Sequence, residues 1–319
     1  MSMFSMRPYE GKSDLQKIAE LINFCDSFDN LDEGTSVREL ESELYSPDFD
    51  LSRDLGLWEN EDGNLIAYAQ LWISEPSNSI DTYLWFCVYP NHRSTLETDI
   101  IEWAIATAKE IESEKGYPVK LRANARENQP DNTNEILQNH GFVIDRYFFR
   151  MECSLTEFIP QPQPPSGFTV RPVNTEEDIE AWVELYSETF IDHWNYHPIT
   201  VENLKHWLNE PDYRPDLNLV VISPDGIFAA FCFNFIEPEY NQRHQIDLGN
   251  VGALGVRRGF RNKGLGKSIL LTSLHLLQSA GMKTARLAVD ADNPNGALQL
   301  YKSLGFRQTL RRFEYVKES

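Results

Sequence analysis

The chain repeats itself, and that repeat limits what it can fold into more than any other feature. Arg7-Pro8, followed by Asp14-Leu15, returns as Arg171-Pro172 with Asp178-Ile179, 164 residues further on. Asp62-Gly63, leading into alternating β-formers up to Trp72, returns as Asp225-Gly226 leading to Phe235. Val88-Tyr-Pro-Asn-His-Arg93 matches Val256-Arg-Arg-Gly-Phe-Arg261, and His140-Gly141-Phe142 matches Leu304-Gly305-Phe306. Four anchors in one order, at nearly constant offset, describe one unit written twice. Each Asp-Gly pair between strand-like runs reads as a hairpin turn. Helical patterns follow at Leu15–Ile22 and Ile179–Tyr186, and again at Asp99–Glu112 and Lys267–Ser279. The expected fold class is therefore α/β (α+β): two tandem domains, each a mixed sheet flanked by helices. The break falls at Pro160-Gln-Pro-Gln-Pro-Pro-Ser-Gly167, where four prolines in six residues favour an extended spacer. The expected domains are 1–159 and 168–319, with 160–167 as linker.

Composition narrows the partners. The chain of 319 residues carries 29 Lys and Arg against 49 Asp and Glu, a net charge of −20. Nucleic acid and anionic membranes call for a basic footprint, so neither is the expected partner. A cationic substrate is compatible with that charge, and so is a surface charged for solubility. Cys25, Cys87, Cys153 and Cys232 have no metal-ligand or CxxC spacing. Cys87 and Cys232 sit in apolar runs, as small buried hydrophobes do. Met1–Arg7 lacks the apolar core of a signal peptide, and no apolar run approaches the ~18 residues of a bilayer span. The expected location is the cytoplasm.

The chemistry-bearing motif lies in the second copy. An apolar run, Val251-Gly-Ala-Leu254-Gly255-Val256, leads into Arg261-Asn262-Lys263-Gly264-Leu265-Gly266-Lys267 and then directly into a helix. The first turn of that helix offers unpaired N–H groups and a partial positive charge, and glycine allows close approach of an anion. Read alone, the glycines also suit a plain helix entry. The spacing matches neither a Walker A loop nor the three-glycine dinucleotide fingerprint. Downstream, the strand Ala285–Asp290 ends near Asn293-Pro294. A short helix then carries Tyr301, four residues before Gly305-Phe306.

Arg261-x-x-Gly264-x-Gly266 after a strand, followed by the Asn-Pro and Tyr-x-x-x-Gly-Phe segment, resembles the GNAT superfamily of acetyl-CoA-dependent N-acetyltransferases. The likeness covers Gly167 to Val316. The tandem layout, Val289-Asp-Ala-Asp-Asn-Pro294 and Asp192-His193-Trp194 are most similar to mycothiol synthases and related two-domain GNAT proteins. Asn295-Gly296 departs from that pattern by adding a residue before the Tyr helix. The resemblance implies two tandem GNAT-like domains with mostly antiparallel sheets, acetyl-CoA as co-substrate, no metal, and direct acetyl transfer to a primary amine. It places backbone groups of Leu254, Gly255 and Val256 along the pantetheine and amides from Arg261 through Lys267 around the pyrophosphate. Asn293 would then contact the pantetheine arm, and Tyr301 would donate to the departing thiolate.

A small-molecule acceptor is the first reading; a protein N-terminus or lysine, or a non-enzymatic acyl-CoA-binding module, are the alternatives. The amine needs a base, because an alkylamine with a pKa near ~10.4 is almost wholly protonated at pH 7. Asp247 and Glu237 are the candidates; a turn-capping role competes for the first and a loop for the second. His193 and His197 have i, i+4 spacing but no third ligand, so aromatic packing is the expected role of Phe190–His197. In the first copy Gly264, Gly266 and Tyr301 become Leu96, Thr98 and Leu137, and a structural role is expected there.

Overall fold

The computed structural model describes residues 4–46, 49–129, 131–174, 176–194, 196–209, 212–293 and 295–318. Met1–Met3 of the N-terminal run, Thr175, Asn195 of the aromatic segment and Pro294 lie outside the described residues. The chain forms two compact units. One comprises the residues up to Tyr147 together with those from Arg311 onward; the other is Phe148–Leu310.

The first unit runs β1 (Phe4–Arg7), α1 (Lys12–Asp29), α2 (Val37–Leu44), β2 (Leu55–Asn60), β3 (Leu65–Ile73), β4 (Ile80–Val88), α3 (Arg93–Lys115), β5 (Val119–Arg126) and α4 (Thr133–Asn139), then enters β6 (Val143–Ser154). The second runs β7 (Thr169–Pro172), α5 (Ile179–Phe190), α6 (Val201–Leu208), β8 (Asn218–Ile222), β9 (Phe228–Phe235), α7 (Pro238–His244), β10 (Leu248–Val256), α8 (Leu265–Ser279), β11 (Thr284–Asp290) and α9 (Ala297–Ser303), then enters β12 (Arg307–Glu318). Strand order is β1-β2-β3-β4-β5-β12 in the first unit and β6-β11-β10-β9-β8-β7 in the second. Each has one parallel pair, β4 with β5 and β10 with β11, and the described pairings around it are antiparallel.

Side-chain periodicity explains the layering. On α3, Leu96, Ile100, Ile101, Ala104, Ala108 and Ile111 form one apolar stripe buried against β3, β4 and β5. On α8, Leu265, Ile269, Leu270, Leu274 and Leu277 do the same in the second unit. The opposite sheet faces are covered by α1 with α2 and by α5 with α6. Each fully buried Leu or Ile contributes roughly 2 kcal/mol, so these stripes hold the helices in place. Capping boxes start α2, through Ser36 and Glu39, and α6, through Thr200 and Asn203.

The units do not divide at the proline-rich segment, where the sequence places the linker. Residues 148–154 of β6 pair with β11, and Met151, Cys153, Leu155 and Ile159 are buried in the core of the second unit. Residues 312–318 of β12 pair with β5, and Tyr315 is fully buried in the core of the first. Each unit therefore takes its closing strand from the other copy of the repeat. Alternation in a strand shows that one face is buried, but not against which sheet. That is why the boundary falls near residue 147 and not at 159.

Candidate active site

The site begins with a strand that loses its neighbour. β10 pairs with β11 only from Leu248 to Val251; from Gly252 onward its β11-facing edge has no strand partner. On the other edge β9 continues to Val256, with a bulge between Val251 and Ala253. A bulge bends its strand and sharpens the twist, and here it splays β10 away from β11. Leu254, Gly255 and Val256 all lie on the splayed stretch. Glycine at 255 answers to packing: a Cβ there would stand 2.3 Å from the Thr189 methyl and 2.6 Å from the Phe231 ring.

After a 3₁₀ turn at Arg258–Phe260, the loop is tied down by Arg261. Its Nε donates to the Val256 carbonyl (3.1 Å), Nη2 to the Thr189 carbonyl (3.1 Å) and Nη1 to Asn295 Oδ1 (3.1 Å). Asn262 and Gly264 both have positive φ, 60° and 83°. That backbone costs a residue with a side chain roughly 1 kcal/mol or more, which explains the glycine at 264. Gly266 has a different reason, since a Cβ there would touch Val256 at 3.4 Å and Leu300 at 3.7 Å. The first turn thus packs closely on β10 and α9. Ser268 N–H is the first to bond back, to the Gly264 carbonyl (3.0 Å), so the amides of Leu265, Gly266 and Lys267 precede the helical ladder. The Leu265 side chain is buried while Asn262, Lys263, Gly264 and Lys267 are exposed, presenting donors on an anchored turn.

α9 brings Tyr301 into the second unit's core, next to Phe306 at 5.8 Å between ring centroids. Its ring is 6% exposed, and no described group hydrogen-bonds its hydroxyl. Burial raises the phenol pKa, and nearby Cys232 adds to the shift. Tyr301 therefore stays protonated across the physiological range and keeps a donor to offer. Gly296, with φ 74°, forms the N-cap of α9, so the extra residue in the sequence is absorbed in the turn. Asn293 makes part of that turn: its Oδ1 accepts from Asn295 N–H (2.9 Å).

The two base candidates separate. Asp247 precedes Leu248, nine residues or roughly 30 Å along β10 from Val256; the β9 register, with Phe235 opposite Asn250, carries Glu237 to that same end. Its carboxylate pairs with Lys283 (2.6 Å), and its carbonyl accepts from Lys283 and Thr284 N–H. What sets Asp247 apart is its partners: its carboxylate and carbonyl are used in joining β10 to β11. Glu237 caps α7 at the end of β9, where the sequence suggests a loop. Its Oε2 accepts from Asn250 Nδ2 (2.9 Å), one residue before the bulge.

The segment after α5 packs as aromatics do. Phe190 contacts Tyr186, Phe231 and His193, and His193 Nδ1 lies 2.9 Å from the Trp194 carbonyl. Among the described residues, no group of three His, Cys, Asp or Glu side chains is placed to hold a metal ion. No described helix is long and apolar enough to cross a membrane. Sequence reasoning missed Thr189 and Asp192, which hold the loop from α5: Thr189 through its carbonyl, Asp192 through Arg258 (2.7 Å) and Arg261 (3.6 Å). Nothing in their local sequence marks this role, because it depends on an approach across more than sixty residues.

Comparison with known proteins agrees with this geometry. Residues 179–306 match the acetyltransferase (GNAT) family. A mycothiol acetyltransferase of Streptomyces scabiei is 31% identical over 246 residues, covering 76% of this chain and 73% of that protein. A GCN5-related N-acetyltransferase of Sphaerobacter thermophilus superposes with a TM-score of 0.76 at 23% identity, over 100% of this chain and 96% of that one. A tandem GNAT protein from the clavulanic acid biosynthesis pathway gives 0.74 at 14% identity, over 99% and 98%. The splayed strands, the anchored helix start and the Tyr-bearing helix are thus found in a chain that belongs to the GNAT family of acetyltransferases.

Proposed function

We propose that this enzyme transfers an acetyl group from acetyl-CoA directly to a primary amine of a small molecule, at the site between β10, α8 and α9. The unpartnered Tyr301 hydroxyl carries the reading, because it leaves a protonated donor where a leaving group needs one. When bound, acetyl-CoA supplies an acetyl group activated as a thioester. The amides of Leu265, Gly266 and Lys267 fit its pyrophosphate, helped by the positive end of α8. The open edge of Leu254–Val256 aligns the pantetheine and polarises the thioester carbonyl; a preorganised N–H donor there is worth about 3 kcal/mol. Asn293 keeps its amide N–H groups for the pantetheine arm while its Oδ1 holds the turn. Tyr301 donates to the sulfur as charge develops on it.

Glu237 is the base that remains, acting on the ammonium directly or through one water. Asn250 holds its carboxylate beside the bulge, whereas the Asp247 carboxylate is paired with Lys283. The small-molecule reading is supported by relatives named for acetylating mycothiol and by the protein's net charge of −20, which favours cationic acceptors. The test is release of CoA thiol from acetyl-CoA across a library of amines, with lysine peptides as the competing class. A small amine should give the highest kcat/KM; a peptide outrunning every small amine would refute the reading. Glu237→Gln should lower kcat by ~10² at pH 7 and flatten the acidic limb of the pH profile. An unchanged limb would remove Glu237 from the mechanism.

A further inference from the structure

The first unit contains a half-open pocket of its own, and its charge is opposite to what a phosphate would need. A cavity of about 360 Å³ lies on the α1 side of its sheet, lined by residues of that unit alone. That volume suits a small metabolite. It occupies the place that the acyl-donor site holds in the second unit. There too β4 leaves its parallel neighbour, pairing with β5 only from Ile80 to Leu84, and Trp85, Phe86, Cys87 and Val88 line the space beyond.

The helix that follows inverts the chemistry. In register with the repeat, Glu97 stands where the second unit has Leu265, in the first turns of α3. Glu97 lines the cavity, is 3% exposed, and accepts no hydrogen bond from any described residue. No described donor meets the Glu97 carboxylate, which is left for solvent or a ligand in the pocket. The three arginines on the wall do not offset it for an incoming anion, because each is already engaged. Arg93 grips Asp29 through both Nη atoms, Arg126 holds Asp32 (3.2 Å) and Glu33 (3.0 Å), and Arg312 also reaches Glu33. Glu43 and Asp131 add further negative charge to the lining, and Tyr68 and Trp85 add aromatic faces.

We infer that the first unit's cavity is a binding site for a small organic ammonium ion, held by Glu97 in a pocket that Tyr68 and Trp85 also line. Carboxylates and aromatic rings lining one pocket are the recognition chemistry of ammonium groups. The inference does not depend on the acetyl-transfer reading of the second unit. Burial, Asp131 and Asp29 raise the Glu97 pKa and Arg93 lowers it, leaving it at about 7. Binding of a cation therefore displaces a proton near neutrality.

Calorimetry on the full chain at pH 7 tests the site, with 1,4-diaminobutane as probe and paired runs in HEPES and PIPES. The expected result is saturable uptake with proton release, weakened at least tenfold and without proton release in Glu97→Gln. Trp85→Ala, altered at a partly exposed ring that stacks on Tyr83, should weaken uptake threefold or more. Gly264→Leu, in the other unit, should leave this uptake as in wild type. Absence of saturable binding, equal binding by Glu97→Gln with Trp85→Ala, or loss in Gly264→Leu would each overturn the inference. Competition by CoA for the Glu97-dependent uptake would overturn it as well, by making the cavity a second nucleotide site.

Discussion

The two units build the same frame and diverge at one turn of helix. Arg7 holds Asp14 (2.7 Å) as Arg171 holds Asp178 (2.5 Å), and each Asp also accepts a backbone N–H four residues before it. Arg93 Nε donates to the Val88 carbonyl as Arg261 Nε donates to that of Val256. Gly141 and Gly305, at φ 81° and 89°, end matching helices, and Phe142 and Phe306 bond back to the carbonyls of Leu137 and Tyr301, both at 3.1 Å. The difference comes immediately after the shared arginine. α3 starts at Arg93 itself, whereas α8 waits until Leu265, four residues past Arg261. At 1.5 Å per residue the first unit has filled about 6 Å of the cradle with its own helix. Removing two glycines is thus more than adding two side chains: without an αL residue at 264, helix propagates back to the arginine and uses up the donors a phosphate would take.

That comparison can be broken in three places. Gly264→Leu gives the second unit the first unit's residue at a φ that leucine adopts only with strain. The expected effect is a loss of ~10³ in kcat/KM with acetyl-CoA, read by thiol release, together with loss of acetyl-CoA binding in calorimetry. Retention within threefold would show that the helix start is not where the two units part. Tyr301→Phe removes the hydroxyl but keeps the ring against Phe306. Here kcat should fall by ~10² while KM for acetyl-CoA stays within twofold; a change confined to KM would make Tyr301 a binding residue and not an acid.

The smallest effect concerns stability. The folded Glu97 pKa of about 7 lies above the ~4.3 of an unfolded glutamate, so in that window the folded chain carries the extra proton. Stability then falls as pH rises through the window. Glu97→Gln abolishes that slope: thermal unfolding should match wild type near pH 4 and show a gain of about 2 kcal/mol, roughly 4 °C, at pH 8. A gain that is the same at both pH values would show that the carboxylate is not buried as described.

Local rules made part of this readable from sequence. Gly264 requires positive φ, as its place before an apolar helix suggests, and Tyr301 sits where its spacing to Gly305-Phe306 puts it. The two Asp-Gly turns and the alternating runs after them gave the hairpins of both sheets. The arginine was harder to interpret. Arg261 reads in sequence as the first amide of an anion loop; its guanidinium has a separate task, anchoring that loop to carbonyls on β10 and α5. Asp247 adjoins the right strand, but adjacency does not reveal a carboxylate's partner, which here is Lys283. Glu237 was taken for a loop residue, whereas the proline after it starts α7, where a missing N–H costs nothing.

The exchange of closing strands also bears on how the protein is made. Ribosomes deliver the chain from its N-terminus, and domains usually collapse in that order. Here β5 pairs with β4 from its own copy of the repeat, but its other edge waits for Arg312–Glu318, from the second copy. Until those residues have been translated, the first unit keeps an open sheet edge, the kind of surface that recruits other chains. A nascent chain stalled within β12, or a gene cut at the prolines, would leave that edge exposed, and selection on this protein therefore acts on its two halves as one heritable piece.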